Sequence, residues 1–132
     1  MKQHLSVLLI EDSVYAADLN VRYLRKAGMS LDYQVVSSLN QMQSVLDAKT
    51  WDVILSDDHM PGFSLLQALH ARNEQAADVP FIIVSELVSE ATLKQAYSQQ
   101  ADGFVPKKSL SELASVVNRL LESSPVPGEI SN

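Results

Sequence analysis

The stretch VPFIIVS, residues 79–85, decides the fold. It is nearly all apolar, with no polar residue between Val79 and Ser85. A strand with one solvated face alternates; one buried on both faces does not, and such strands belong to parallel sheets covered by helices on both sides. Working outward, strand-like and helix-like segments take turns along the chain. LSVLLI (5–10), DYQVVSS (32–38), WDVILS (51–56) and GFVP (103–106) read as the other strands. Between them, VYAADLNVRYLRKAG (14–28) has helical spacing, with Val14, Ala17, Val21, Leu24 and Ala27 able to share a face. Lys26 and Gly28 mark its end, a cation at the negative pole and then a residue that tolerates φ > 0. SLNQMQSVLDAK (38–49) opens on a capping-box pattern, Ser38 with Gln41. FSLLQALHARN (63–73) and SEATLKQAYSQQ (89–100) are the next helices. SLSELASVVNRLLES (109–123) is the clearest, with a capping box predicted from Ser109 and Glu112. The tail SPVPGEISN (124–132) is rich in Pro, Gly and Ser and reads as a linker or disordered end after a domain spanning 1–123.

Five strands alternating with five helices imply an α/β fold, a parallel sheet with helices on both faces and right-handed crossovers. Bulk properties agree with one soluble domain. The 132 residues suit a single core. A net charge of −6 argues against a nucleic-acid surface, while leaving room for partners with basic faces. There is no cysteine, hence no disulfide, thiol nucleophile or thiolate metal site. No apolar run is long enough to span a bilayer, and the N-terminus lacks the features of a signal peptide, so the expected location is cytoplasmic.

In such sheets function collects at the C-terminal strand ends. Glu11-Asp12 end the first strand, Asp57-Asp58 the third, Ser85-Glu86 the fourth and Pro106-Lys107-Lys108 the fifth. Taken singly, each has a bland reading. Asp12 and Ser13 could cap a helix, Asp57-Asp58 could be a solvated turn before Pro-Gly, and Lys107-Lys108 could be plain surface. His4, His59 and His70 lack metal-ligand spacing, Trp51 reads as a packing residue and Asp102 as a turn former. Their joint occurrence, in order, says more. Two carboxylates about 4 Å apart repel by roughly 4 kcal/mol at an effective dielectric near 20. Several at one edge need a cation, and a hard ion with oxygen ligands such as Mg²⁺ meets that need. With a lysine and a hydroxyl opposite, such a site suits phosphoryl transfer to a carboxylate.

The motifs LLIEDS (8–13), ILSDDHMP (54–61), FIIVS (81–85) and GFVPK (103–107) resemble those of response-regulator receiver domains, over about residues 5–122. The resemblance implies a flavodoxin-like (βα)5 doubly wound fold with strand order 2-1-3-4-5. It implies Asp57, four residues before Pro61, as phosphoacceptor, taking a phosphoryl group from a histidine kinase or phosphotransfer protein. Glu11 and Asp12 match the pair that holds Mg²⁺, Asp12 directly and Glu11 through water, with Asp57 and the backbone carbonyl of His59 completing the set. Lys107 matches the lysine that pairs with Asp57, Ser85 the switch hydroxyl and Phe104 the switch aromatic. Asp58 is expected to point away from the metal and to be dispensable for it. The implied module is a signalling domain rather than an enzyme. Its partners would be a downstream effector domain or protein, or a second copy docked on the face of helix 4, strand 5 and helix 5. No direct contact with nucleic acid or membrane is expected.

The chain also departs from the family pattern. Glu86 follows the switch Ser where a small residue is usual, Lys108 replaces a common Pro and with it a cis peptide, Leu65 replaces a Gly, and Gln99-Gln100 replaces Ala-Gly. Glu86 keeps alive an alternative, a degenerate receiver acting as a phosphorylation-independent interaction module. A third reading, a small enzyme or flavin protein on the same fold, has little support: there is no Gly-rich phosphate loop and no D-x-D pattern after the first strand.

Overall fold

A computed structural model describes residues 4–123, so the predicted tail at 124–132 lies outside the described residues. Five strands form one parallel sheet: β1 (His4–Ile10), β2 (Ser30–Val36), β3 (Val53–Ser56), β4 (Phe81–Ser85) and β5 (Gly103–Pro106). Their order is β2-β1-β3-β4-β5, the doubly wound flavodoxin-like arrangement expected. The helices are α1 (Val14–Lys26), α2 (Leu39–Ala48), α3 (Leu65–Gln75), α4 (Glu90–Ser98) and α5 (Leu113–Ser123). A short antiparallel hairpin, His59–Met60 with Phe63–Ser64, interrupts the path from β3 to α3. Among the described residues no helix is long and apolar enough to cross a membrane.

The sheet separates two apolar layers, because successive residues of a strand point to opposite faces. Leu8 and Ile10 face α2, α3 and α4, meeting Met42, Leu69 and Ala96. Val7 and Leu9 face α1 and α5, meeting Val21, Leu24, Leu113 and Val117. All five residues of β4 are buried, as the unbroken apolar run predicts. Each fully buried Leu, Ile or Val contributes about 1.5–3 kcal/mol, so these layers hold the strand ends in place.

Local signals act at the helix ends. Ser38 accepts from the Gln41 amide at 3.2 Å, but the Gln41 side chain returns to Ser37 N–H at 2.8 Å, one residue earlier than a strict capping box. The full box occurs instead at α3, between Ser64 and Gln67. Removing it with Ser64→Ala should lower stability by about 1 kcal/mol, measured by urea unfolding. Gly28 takes φ 95° after α1, as its position suggests. Leu65, where the family pattern has Gly, opens α3 and is buried in the core.

Three expectations are corrected. Val14 and Ala27 do not join the buried face of α1: Val14 is 83% exposed and only Ala17, Val21 and Leu24 of that set turn inward. Ser109 does not cap α5. It lies inside a 3-10 segment, Lys107–Glu112, with non-helical φ −123° and ψ 36°. That tighter segment buries Leu110 and turns the chain from β5 into α5. Asp102 is more than a turn former. Its Oδ2 accepts from the Phe81 amide at 2.9 Å and from Arg72 Nη1 at 3.0 Å, tying the starts of β4 and β5 to α3.

Candidate functional site

The backbone ladder runs right up to the strand ends. Glu11 N–H donates to Val36 O and Asp57 N–H donates to Ile10 O, both at 2.9 Å. Glu11 and Asp57 therefore sit on rigid sheet rather than on loose loop. Beyond Asp57 the chain reverses through the hairpin, with Gly62 at φ 70° and Met60 and Phe63 buried beneath it. That anchoring fixes the loop that follows Asp57.

Here three acids converge. One carboxylate oxygen each from Glu11, Asp12 and Asp57 lies within 4.8 Å of the others. Glu11 and Asp57 are buried and Asp12 is exposed. Lys107 reaches in from the end of β5, its Nζ donating to Glu11 Oε2 at 3.2 Å and to Asp57 Oδ2 at 3.4 Å. Asp57 Oδ1 accepts the Asp58 backbone N–H at 2.8 Å. These groups line an open cleft of about 640 Å³ whose rim includes Tyr15, Glu86 and Lys108.

Electrostatics follow from the crowding. Burial, then the charge of Asp57, pushes the Glu11 carboxyl above its ordinary 4.5, against the opposing pull of the Ser13 amide and Lys107. Burial also pulls on Lys107, but Glu11 and Asp57 outweigh it and hold the ammonium above its ordinary 10.5. From pH 4.5 upward to its folded value, Glu11 keeps more proton in the folded than in the unfolded chain, so its contribution to stability falls as pH rises. The Lys107 contribution is present below 10.5 and is lost as pH climbs through its raised folded value. A carbon-13 NMR titration of metal-free protein should place the Glu11 midpoint above 4.5, and Lys107→Met should move it higher still.

Phe104 is half-buried on β5 beside Ile83 and packs against the α3 side of the core. The His59 side chain is exposed on the hairpin. Ser85 is buried at the end of β4, and its hydroxyl takes Asp58 rather than Asp57 as its partner: Oγ–H donates to Asp58 Oδ1. Asp58 stands outside the three-acid cluster, but it is not idle. Sequence reading had no signal for that contact, since Asp58 and Ser85 are 27 residues apart.

The sequence pattern of the response regulator receiver domain matches residues 7–118. No curated protein matches the chain. Among solved structures, the chain is similar to the receiver domain of a signal transduction histidine kinase from Syntrophus aciditrophicus. The TM-score is 0.78 at 24% identity, covering 97% of this chain and 98% of the other. A second is the receiver domain of a Pseudomonas aeruginosa sensor histidine kinase with a magnesium ion coordinated in its active-site cleft. It gives 0.77 at 20% identity, covering 91% and 99%. A third is a CheY-like receiver domain protein from Methanospirillum hungatei, at TM-score 0.79 and 14% identity, covering 91% and 95%. These identities speak to the fold, which they share. With the match running through all five strands of the sheet, the chain belongs to the response regulator receiver domain family of two-component systems.

Proposed function

We propose that this receiver accepts a phosphoryl group on Asp57 in the presence of Mg²⁺ and uses it to switch an interaction surface. One observation carries the reading: one carboxylate oxygen each of Glu11, Asp12 and Asp57 lies within 4.8 Å of the others, with Lys107 Nζ 3.4 Å from Asp57 Oδ2. Three carboxylates against one ammonium leave excess negative charge, and an all-oxygen donor set suits Mg²⁺. Asp12 and Asp57, the His59 backbone carbonyl and, through water, Glu11 would hold the ion. When bound it would neutralise charge on the incoming phosphoryl oxygens.

The chain's own groups do the rest. An Asp57 carboxylate oxygen attacks phosphorus. Its O–P bond forms as the bond to the donor breaks, P–N for a phosphohistidine or P–O for acetyl phosphate, and the leaving group keeps the electron pair. Lys107 shares a phosphoryl oxygen and keeps Asp57 aligned. Ser85 then turns to the phosphoryl group and Phe104 follows, biasing the surface of α4, β5 and α5. The donor is a histidine kinase or phosphotransfer protein, and the receiver of the signal is an effector or a second copy on that face. The domain is a signalling module rather than an enzyme. Incubation with acetyl phosphate and Mg²⁺ should add one phosphoryl group by intact mass, and chelation should prevent it.

A second reading, an interaction module that does not react, draws on Glu86, whose exposed carboxylate lines the same cleft. No mass gain with acetyl phosphate and no binding of beryllofluoride would favour it.

A further inference from the structure

We propose that Asp58 is a latch on the switch hydroxyl, holding Ser85 away from the acceptor until Asp57 is modified. The inference rests on the phosphoacceptor reading of this site. Its basis is one residue making two contacts. The Asp58 backbone N–H donates to Asp57 Oδ1 at 2.8 Å, and the Asp58 carboxylate accepts the Ser85 hydroxyl. The first contact places Asp58 relative to the acceptor. The second occupies the single proton of Ser85, which cannot at the same time be donated to an oxygen on Asp57.

The surroundings suit a latch that opens. Ser85 is only 3% exposed, so its hydroxyl needs a partner and takes the one in reach. Asp58 is half-buried, so on release its carboxylate can turn to water. A phosphoryl group on Asp57 brings negative charge next to Asp58 and repels it, while offering Ser85 new acceptor oxygens. Modification thus weakens the old bond and supplies the new one together. Asp58 acts through Ser85 and is a positioning residue.

The test is a double-mutant cycle: wild type, Asp58→Ala, Ser85→Ala and the double variant, titrated with beryllofluoride and Mg²⁺ by fluorine-19 NMR. A carboxylate–hydroxyl bond that must break predicts about ten-fold tighter binding by Asp58→Ala. That gain should vanish in the Ser85→Ala background. An equal gain in both backgrounds would mean Asp58 acts only by its charge and would overturn the latch, as would no gain at all. A second readout needs no phosphoryl mimic: Ser85 Hα–Hβ couplings should report one rotamer in wild type and averaging in Asp58→Ala. Averaging in wild type overturns the latch. Failure of all four proteins to bind beryllofluoride overturns the phosphoacceptor reading itself, and the latch's role with it.

Discussion

Asp57→Asn is expected to abolish phosphorylation completely while leaving the fold intact. Incubated with acetyl phosphate and Mg²⁺, the variant should gain no phosphoryl group by intact mass under conditions in which wild type gains one. The amide nearly copies the carboxylate in shape but lacks its negative charge and its nucleophilic oxygen pair. It also removes one of the three converging acids, so the cation site weakens along with the nucleophile. Loss through unfolding is not expected, because Asp57 is one of the two main reasons the Glu11 carboxyl sits high. Removing that like charge should relieve the site. The Glu11 titration midpoint should fall in the variant, and thermal stability should hold or rise. A variant labelled as well as wild type would move the nucleophile elsewhere, to Asp12 or Asp58.

Arg72→Ala is expected to cost the most stability of any polar change, roughly 3–5 kcal/mol. Arg72 is 2% exposed and lies in the apolar layer under α3. Its guanidinium donates to Val79 O at 2.7 Å and Asp102 Oδ2 at 3.0 Å, and also to Gln100 O. It sits over the Phe81 ring, 5.6 Å from its centroid. Gln100 holds φ 76°, a left-handed conformation that a Gln adopts reluctantly, and its carbonyl is one of the Arg72 acceptors. Asp102 is 39% exposed and can recover water, so most of the loss falls on the buried carbonyls and the emptied space. Domains of this size unfold with only about 5–15 kcal/mol. The expected fall in melting temperature is therefore on the order of 10–20 °C, readable by circular dichroism. Arg72→Met restores much of the volume but none of the donors, and should recover only part of the difference. A change below about 1 kcal/mol in Arg72→Ala would show that the network is not needed.

How far the sequence could be read depended on whether a signal was local. The unbroken apolar run in β4 and the alternation of strands with helices indicate a parallel sheet, because each is a period visible within a few residues. The order of motifs at strand ends then brings Glu11, Asp12, Asp57 and Lys107 to one edge, where the structure has them. Helix boundaries were less legible. Ser109 and Glu112 carry a capping-box pattern, yet the chain enters α5 through a 3-10 segment that buries Leu110. Ser64 and Gln67 form the complete box, directly beside the hairpin that shapes the acceptor loop.

By itself, then, the sequence determined the fold class, the strand order by resemblance, and which acids and which lysine meet. Periodicity and strand ends are properties of short segments, and the sheet converts them into position. Only the tertiary structure decided which partner each polar group takes. Arg72 could have been a solvated helix cation, and becomes the buried tie between α3, β4 and β5 because Asp102 and the Val79 and Gln100 carbonyls lie within reach of its guanidinium. Asp58 could have been a solvated acid, and instead takes the Ser85 hydroxyl, because β3 and β4 run side by side and the pairing of Ser56 with Ile83, carried on two residues, brings Asp58 level with Ser85. A hydroxyl has one proton and a choice of acceptors, and that choice is settled by distances between residues far apart in the chain.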